Sequence, residues 1–136
     1  MDQTTKKILN TLSDFTKPQK RYFNISKETG KFLYNLILSS KAKNILEIGT
    51  SNGYSTIWMA QATQGKVTTI EKTDFKVKEA EQNFQKAKLN NIKIIHGDAL
   101  KEIPKLKEKY DFMFIDAIKR NYIDYLKLAE KNLKNL

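Results

Sequence analysis

Chemistry could be carried by a small set of ionisable side chains that stand at or just after short apolar segments: Glu47, Glu71, Asp98, Asp116 and Lys119. Glu47 comes two residues before Gly49, and Gly53 follows closely. Two glycines at this spacing permit a tight turn and a close approach of backbone to a ligand. If a helix starts there, its free N–H groups favour a polar or anionic group. The segment 47–55 is therefore predicted to bind a ligand, although an ordinary strand-to-helix turn has the same pattern.

Two of these acids restrict the kind of ligand. Glu71 follows Gly49 by 22 residues, and an acid at this place in nucleoside-binding α/β folds accepts hydrogen bonds from ribose hydroxyls. A solvated charge at a strand end is the alternative for Glu71. A carboxylate at Glu47 would repel the pyrophosphate of a dinucleotide, whereas it suits an ammonium or sulfonium group. The pair favours a nucleoside with a cationic amino-acid tail, as in S-adenosylmethionine (SAM).

Further candidates follow the third and fourth apolar segments. Asp98, next to Ala99, could accept from an adenine amino group or cap a helix, and the sequence leaves both open. Asp116 comes directly after the segment 112–115, and Lys119 follows three residues later. A carboxylate there could bind a hard cation, and the lysine could act as a general base. The alternative is a surface ion pair.

Apolar periodicity predicts the elements that position these residues. Helices are predicted over 2–14, 26–40, 54–63, 74–89 and 121–135, with a short helix within 99–108. Strands are predicted over 44–48, 66–70, 92–95 and 112–115. Strands that alternate with helices indicate βαβ units and a parallel sheet, in which ligands bind beyond the carboxyl ends of the strands. The 136 residues suit a single α/β domain, with an N-terminal helical arm (1–40) and a cofactor-binding core (43–136).

Composition excludes several kinds of site. The sequence has no cysteine and one histidine, His96, which excludes disulfides, cysteine-based zinc sites and multi-histidine metal sites. No apolar run approaches the roughly 20 residues that span a bilayer, and the first residues do not resemble a signal peptide. We expect a cytoplasmic domain with no membrane association.

Positive charge is concentrated near the N-terminus. The chain has 25 basic and 15 acidic residues, and residues 1–43 hold nine basic and three acidic ones. A basic arm could meet RNA phosphates or acidic lipid. However, all but two of the basic residues are lysine, whereas nucleic-acid sites tend to use arginine for its bidentate geometry. A solvated lysine-rich surface is therefore the favoured interpretation.

Three motifs, in order and at matching spacings, resemble the class I SAM-dependent O-methyltransferases. The sequence ILEIGTSNGYS at 45–55 is similar to the family's first SAM motif, and FMFIDAIKRNY at 112–122 is similar to its fourth-strand motif. NIS at 24–26, followed by ETG at 28–30, resembles the segment that covers the cofactor. The nearest subgroup is the cation-dependent type of the catechol and caffeoyl-CoA O-methyltransferases and their bacterial relatives.

The resemblance implies a Rossmann-like three-layer sandwich with parallel strands in the order 3-2-1-4. It implies SAM as cofactor, with contacts from Ile25, Ser26, Glu47, Gly49, Thr50, Ser51, Gly53, Ser55, Glu71, Asp98, Ala99 and Asp116. Of these, Glu71 would bind the ribose, Asp98 and Ala99 would flank the adenine, and most others would surround the methionyl group. Asp116 would also bind Mg²⁺ or another divalent cation, and Lys119 would deprotonate the acceptor hydroxyl.

The sequence departs from the family after the fourth strand. The resemblance implies seven strands, and the sequence predicts four, so we expect a C-terminally truncated domain without strands 5–7 whose apolar fourth strand lies at an edge. Because such an edge is a liability for pairing, a second copy or a partner chain is expected to cover it. The expected function is methylation of a hydroxyl on a small-molecule acceptor. The alternatives are a tRNA hydroxyuridine O-methyltransferase, which the basic arm would suit, and a non-catalytic or split SAM-binding module that needs a partner.

Overall fold

The computed structural model describes residues 1–12, 25–116 and 119–134, with the side chain of Lys119 outside that description. The α-helices are α1 (Gln3–Leu12), α2 (Lys27–Ser40), α3 (Tyr54–Ala62), α4 (Asp74–Lys86), α5 (Ala99–Glu102) and α6 (Tyr122–Ala129). The strands are β1 (Asn44–Ile48), β2 (Lys66–Glu71), β3 (Ile92–His96) and β4 (Phe112–Ile115). Short 3₁₀ helices cover Ile103–Lys105, Lys119–Asn121 and Glu130–Asn132.

The strands form one parallel sheet in the order β3-β2-β1-β4, which confirms the expected fold class and strand order. Its register places Glu47 beside Thr69 and Glu71 beside His96. Because all strands run the same way, their carboxyl ends meet at one edge. The segments that follow β1, β2, β3 and β4 are thereby brought together.

Alternating side chains of the central strand β1 face two separate hydrophobic layers. Ile45 points towards α2 and α3, where it packs with Leu33, Ile37 and Met59. Leu46 and Ile48 point to the opposite face, in the cluster that includes residues of α5 and α6. Successive residues of a strand face opposite sides of a sheet, so Glu47 lies on the same face as Ile45, towards α3.

The N-terminal helix α1 packs on this first layer. Leu9 and Leu12 are buried against a cluster that contains Ile57 of α3 and Phe84 of α4. No helix in the described ranges combines the length and apolarity that crossing a bilayer requires.

The helix predicted over 121–135 ends earlier, at Ala129. The backbone after it turns to pair with Tyr110: Tyr110 N donates to Asn132 O at 2.6 Å, and Lys134 N donates to Tyr110 O at 2.9 Å. These long-range bonds compete with continued helix, and apolar periodicity alone does not reveal them.

In the described part of the chain, β4 pairs with β1 and no other strand. A shallow groove runs beside this edge and is lined by Met113, Ile115, Tyr122, Ile123 and Leu126. Ile123 is 68% exposed and Leu126 is 53% exposed. The apolar edge expected from the sequence is therefore present, and its coverage by a second copy or a partner chain stays a prediction.

Candidate functional site

A cavity of about 330 Å³ opens at the carboxyl ends of the strands. It is lined by Ile48, Gly49, Ser51, Ile70, Glu71, Lys72, Thr73, Lys76, Gly97, Asp98, Ala99, Asp116 and Tyr125. The structure thus brings together these sequence-predicted residues: Gly49, Ser51, Glu71, Asp98, Ala99 and Asp116. The volume is at the lower end of the range for small-molecule sites.

The loop between β1 and α3 has an unusual backbone. Gly49 and Gly53 have φ angles of 98° and 91°, and Ser51 between them has a φ of 53°. Gly49 N donates to Ile70 O at 2.9 Å, and Gly53 N donates to Thr50 O at 2.9 Å. Residues other than glycine seldom adopt this left-handed backbone conformation. With Ser51 in this conformation, its N–H points towards β2.

Gly53 is restricted by its neighbour as well as by its φ angle. A Cβ added there would lie 2.5 Å from the ring of Phe84 in α4. We expect Gly53→Ala to lower the free energy of unfolding by about 1–3 kcal/mol from backbone strain alone, with a further loss because the Phe84 ring must move. Urea denaturation measures this loss.

Gly97→Ala is the matched control, because Gly97 has no positive φ and the atoms nearest to its added Cβ belong to the flexible side chain of Glu102. Equal losses for the two variants would show that the loop backbone at Gly53 is not under the constraint described.

Glu71 joins the two loops that border the cavity. Its Oε1 accepts from Ser51 N at 2.8 Å, and its Oε2 accepts from Thr73 N at 3.0 Å. The side chain lines the cavity although the residue is only 8% exposed. Each carboxylate oxygen retains a lone pair, so Glu71 can also accept hydrogen bonds from a ligand hydroxyl.

Glu47 lies beneath the loop and not on the cavity wall. It is fully buried and accepts hydrogen bonds from the hydroxyls of Ser55, Thr56 and Thr69, the last at 2.7 Å. Burial raises its pKa from the ordinary 4.5 to about 7, because desolvation outweighs the stabilisation of the carboxylate by the three hydroxyls. Glu47 therefore ties β1, β2 and α3 together under the loop, and its predicted contact with a methionyl group stays a prediction.

Other predicted cofactor residues also lie outside the cavity lining. Thr50 is buried with its hydroxyl 2.6 Å from that of Thr69. Ser26 caps α2, since its Oγ accepts from Thr29 N at 3.1 Å, and Ile25 packs against the core. Gly53 and Ser55 also lie outside the lining. The direct contacts of all five residues with a ligand stay predictions.

Asp98 caps a helix, which is one of the two interpretations that the sequence left open, and its contact with an adenine amino group stays a prediction. Its Oδ1 accepts from Leu100 N at 3.0 Å and so caps the short helix α5. It also lines the cavity beside Ala99. The segment between β3 and α5 is held to β2, because Gly97 N donates to Glu71 O at 2.9 Å. One carboxyl oxygen can cap the helix while the other faces a ligand.

Asp116 stands at the end of β4, where its N–H continues the ladder by donating to Ile48 O at 2.9 Å. Partial desolvation raises the pKa of its carboxyl, and the positive charge of Lys76 opposes that rise. Lys119 begins the 3₁₀ helix Lys119–Asn121, and its side chain lies outside the described residues. Among the described side chains, no group of three or more His, Cys, Asp or Glu could hold a metal ion, so these residues alone do not fit a divalent-cation site.

The structure adds Lys72, Thr73 and Lys76 to the cavity wall. Lys72 and Thr73 directly follow Glu71 at the carboxyl end of β2. Their position in the sequence could therefore have identified them as residues of the site. Lys76 lies in the first turn of α4, and it reaches the cavity because that helix starts at the rim.

Known O-methyltransferases are similar to this chain in sequence and in fold. The chain is 38% identical over 127 residues to the catechol O-methyltransferase of Niastella koreensis, covering 88% of this chain and 56% of that protein. A solved O-methyltransferase from Bacillus cereus, in complex with S-adenosylhomocysteine (SAH), has a TM-score of 0.84 and 35% identity, with 98% of this chain and 63% of that one covered. An O-methyltransferase from Streptomyces achromogenes in complex with SAM has a TM-score of 0.83 and 30% identity, with 98% and 62% covered.

The chain spans about half the length of the curated relatives it matches. The family model described as O-methyltransferase matches residues 2–135, which is nearly the whole chain. This chain therefore belongs to the O-methyltransferase family.

Proposed function

We propose that this chain binds SAM in the cavity at the carboxyl ends of the strands, and that the whole protein transfers the methyl group to a hydroxyl of a small acceptor. The observation that carries the proposal is the position of Glu71. Its carboxylate faces the cavity while holding the loop after β1 and the loop after β2. The SAH-bound and SAM-bound structures of relatives support the same cofactor.

The electrostatics of the cavity favour SAM over a dinucleotide. The walls carry the carboxylates of Glu71, Asp98 and Asp116 and the ammonium groups of Lys72 and Lys76. The Ser51 N–H, which could otherwise meet a phosphate, already donates to Glu71. Three carboxylates outnumber two ammonium groups on this wall, so a pyrophosphate would meet net repulsion and would lack this donor. The ribose hydroxyls and the cationic tail of SAM would instead meet acceptors.

SAM, when bound, supplies an electrophilic methyl group on its sulfonium. In the proposal, Glu71 accepts from the ribose hydroxyls and Asp98 from the adenine amino group, so the cofactor is held in one orientation. Fixed orientation contributes much of the rate in a displacement that requires a linear approach of the acceptor oxygen. Lys119 is proposed to receive the proton of the acceptor hydroxyl, and this assignment rests on its place in the sequence after Asp116.

A divalent cation is part of the prediction from the sequence, with Asp116 as a ligand. The described residues do not complete such a site. Cation dependence stays a prediction about the whole protein.

Isothermal titration calorimetry with SAH tests the proposal on the chain as given. We expect one molecule of SAH to bind per chain, with an affinity that EDTA does not change, because the proposed contacts come from Glu71, Asp98 and the loop. Circular dichroism on the same sample confirms that the protein is folded. A folded chain without SAH binding would overturn the proposal, and a loss of affinity in EDTA would show that a cation takes part in cofactor binding.

A further inference from the structure

Asn83, on α4, makes a buried hydrogen bond to the loop between β1 and α3. Its Nδ2 donates to the backbone oxygen of Asn52 at 2.8 Å. Asn83 is 7% exposed and Asn52 is fully buried. A buried backbone carbonyl that loses its donor carries an unfavourable desolvation cost, so this bond restricts where the loop can lie.

A second contact joins the same two parts of the chain. The ring of Phe84 packs so closely on Gly53 that an added Cβ would lie 2.5 Å from it. Adjacent residues of α4 therefore contact adjacent residues of the loop, one by a hydrogen bond and one by van der Waals packing. The N-terminal end of α4 is Asp74, three residues after Glu71, so one helix is connected to both partners of the hydrogen bond between Ser51 and Glu71.

We propose that Asn83 is a positioning residue for the cofactor loop. Ser51 has a φ of 53°, a conformation that tends to relax unless its surroundings hold it. The hydrogen bond from Asn83 holds the peptide group between Asn52 and Gly53. It thereby limits how far the loop can relax and keeps the Ser51 N–H directed at Glu71. The inference rests on the proposed function, because the loop is the part of the chain that we propose binds SAM.

Removal of the amide should loosen the loop and weaken binding. Asn83→Ala is expected to lower the affinity for SAH about tenfold, which corresponds to the net contribution of one hydrogen bond. Amide hydrogen exchange by NMR is expected to become faster at residues 51–53 and to stay unchanged in β1 and β2. A general loss of stability would instead speed exchange in the strands as well.

Asn83→Asp tests the hydrogen bond itself with little change of shape. The introduced carboxyl can donate to Asn52 O when it is protonated and cannot when it is ionised. Lys7 of α1 and Lys86 of α4 line the same small cavity as Asn83 and favour the ionised form. Relative to the wild type, the affinity of this variant for SAH is expected to fall as the pH rises.

Gln85→Glu is the matched control, because it makes the same change of charge at an exposed position of α4. Its affinity should follow that of the wild type at every pH. The inference is overturned if Asn83→Ala binds SAH as tightly as the wild type, or if exchange at residues 51–53 is unchanged. Failure of the wild type to bind SAH would overturn the proposed function, whereas exchange at residues 51–53 would still report on the positioning of the loop.

Discussion

Glu71→Ala is expected to lower the affinity of the chain for SAH at least about a hundredfold. The carboxylate holds two backbone N–H groups, those of Ser51 and Thr73, and in the proposed complex it also accepts from the ribose hydroxyls. Hydrogen bonds to charged groups contribute about 1.5–3 kcal/mol each, and a hundredfold change in affinity corresponds to about 2.7 kcal/mol. Calorimetric titration of the purified variant with SAH measures the change.

Two further variants separate the role of Glu71 from general effects. Glu71→Gln keeps one acceptor oxygen and the shape of the side chain, so we expect an intermediate loss of affinity. Glu81→Ala removes a glutamate from an exposed position on α4 and should leave the affinity unchanged. If Glu71→Ala stays folded and binds SAH like Glu81→Ala, Glu71 does not hold the cofactor.

The second large effect concerns stability and pH. The carboxyl of Glu47 has an ordinary pKa of 4.5 in the unfolded chain and a pKa raised to about 7 by burial in the folded chain. Between these two pH values the folded state retains a proton that the unfolded state has released. The contribution of Glu47 to the free energy of unfolding therefore decreases as the pH rises from about 4.5 to about 7, and it levels off above that. The difference between the two pKa values corresponds to a loss of about 3 kcal/mol.

Glu47→Gln isolates this contribution. The amide keeps the volume of the side chain, and the hydroxyls of Ser55, Thr56 and Thr69 can each rotate to donate or to accept. We expect the stability of the variant relative to the wild type to improve by about 3 kcal/mol between pH 4.5 and pH 7, as measured by urea denaturation across that range. The charge of Asp116 contributes to the raised pKa of Glu47, so the comparison reports the Glu47 carboxyl together with its interaction with Asp116. A stability difference that does not vary with pH would contradict the raised pKa of Glu47.

Much of the fold was predictable because its signals are local. Apolar runs of four or five residues, punctuated by Gly49, Gly65 and Gly97, indicated the strands within one residue of their observed ends. The parallel arrangement then required the residues after each strand to meet at one edge. That rule alone placed Glu71, Asp98 and Asp116 around one cavity.

The end of the last helix was less predictable, because its periodicity continues past Ala129. Long-range pairing of Asn132 and Lys134 with Tyr110 ends the helix there. Bonds between residues far apart in sequence leave no pattern in a local window, so they appear only in the folded chain.

The sequence by itself determined the order of elements, the edge of the sheet that carries the site and the acids that reach it, because periodicity and strand direction are local properties. Tertiary structure alone decided that the Glu47 carboxyl accepts hydrogen bonds from three hydroxyls under the loop and does not line the cavity. It also decided that Asn83 holds the loop through Asn52. Both outcomes depend on which side chains neighbouring layers bring into contact, and that depends on packing between residues distant in sequence.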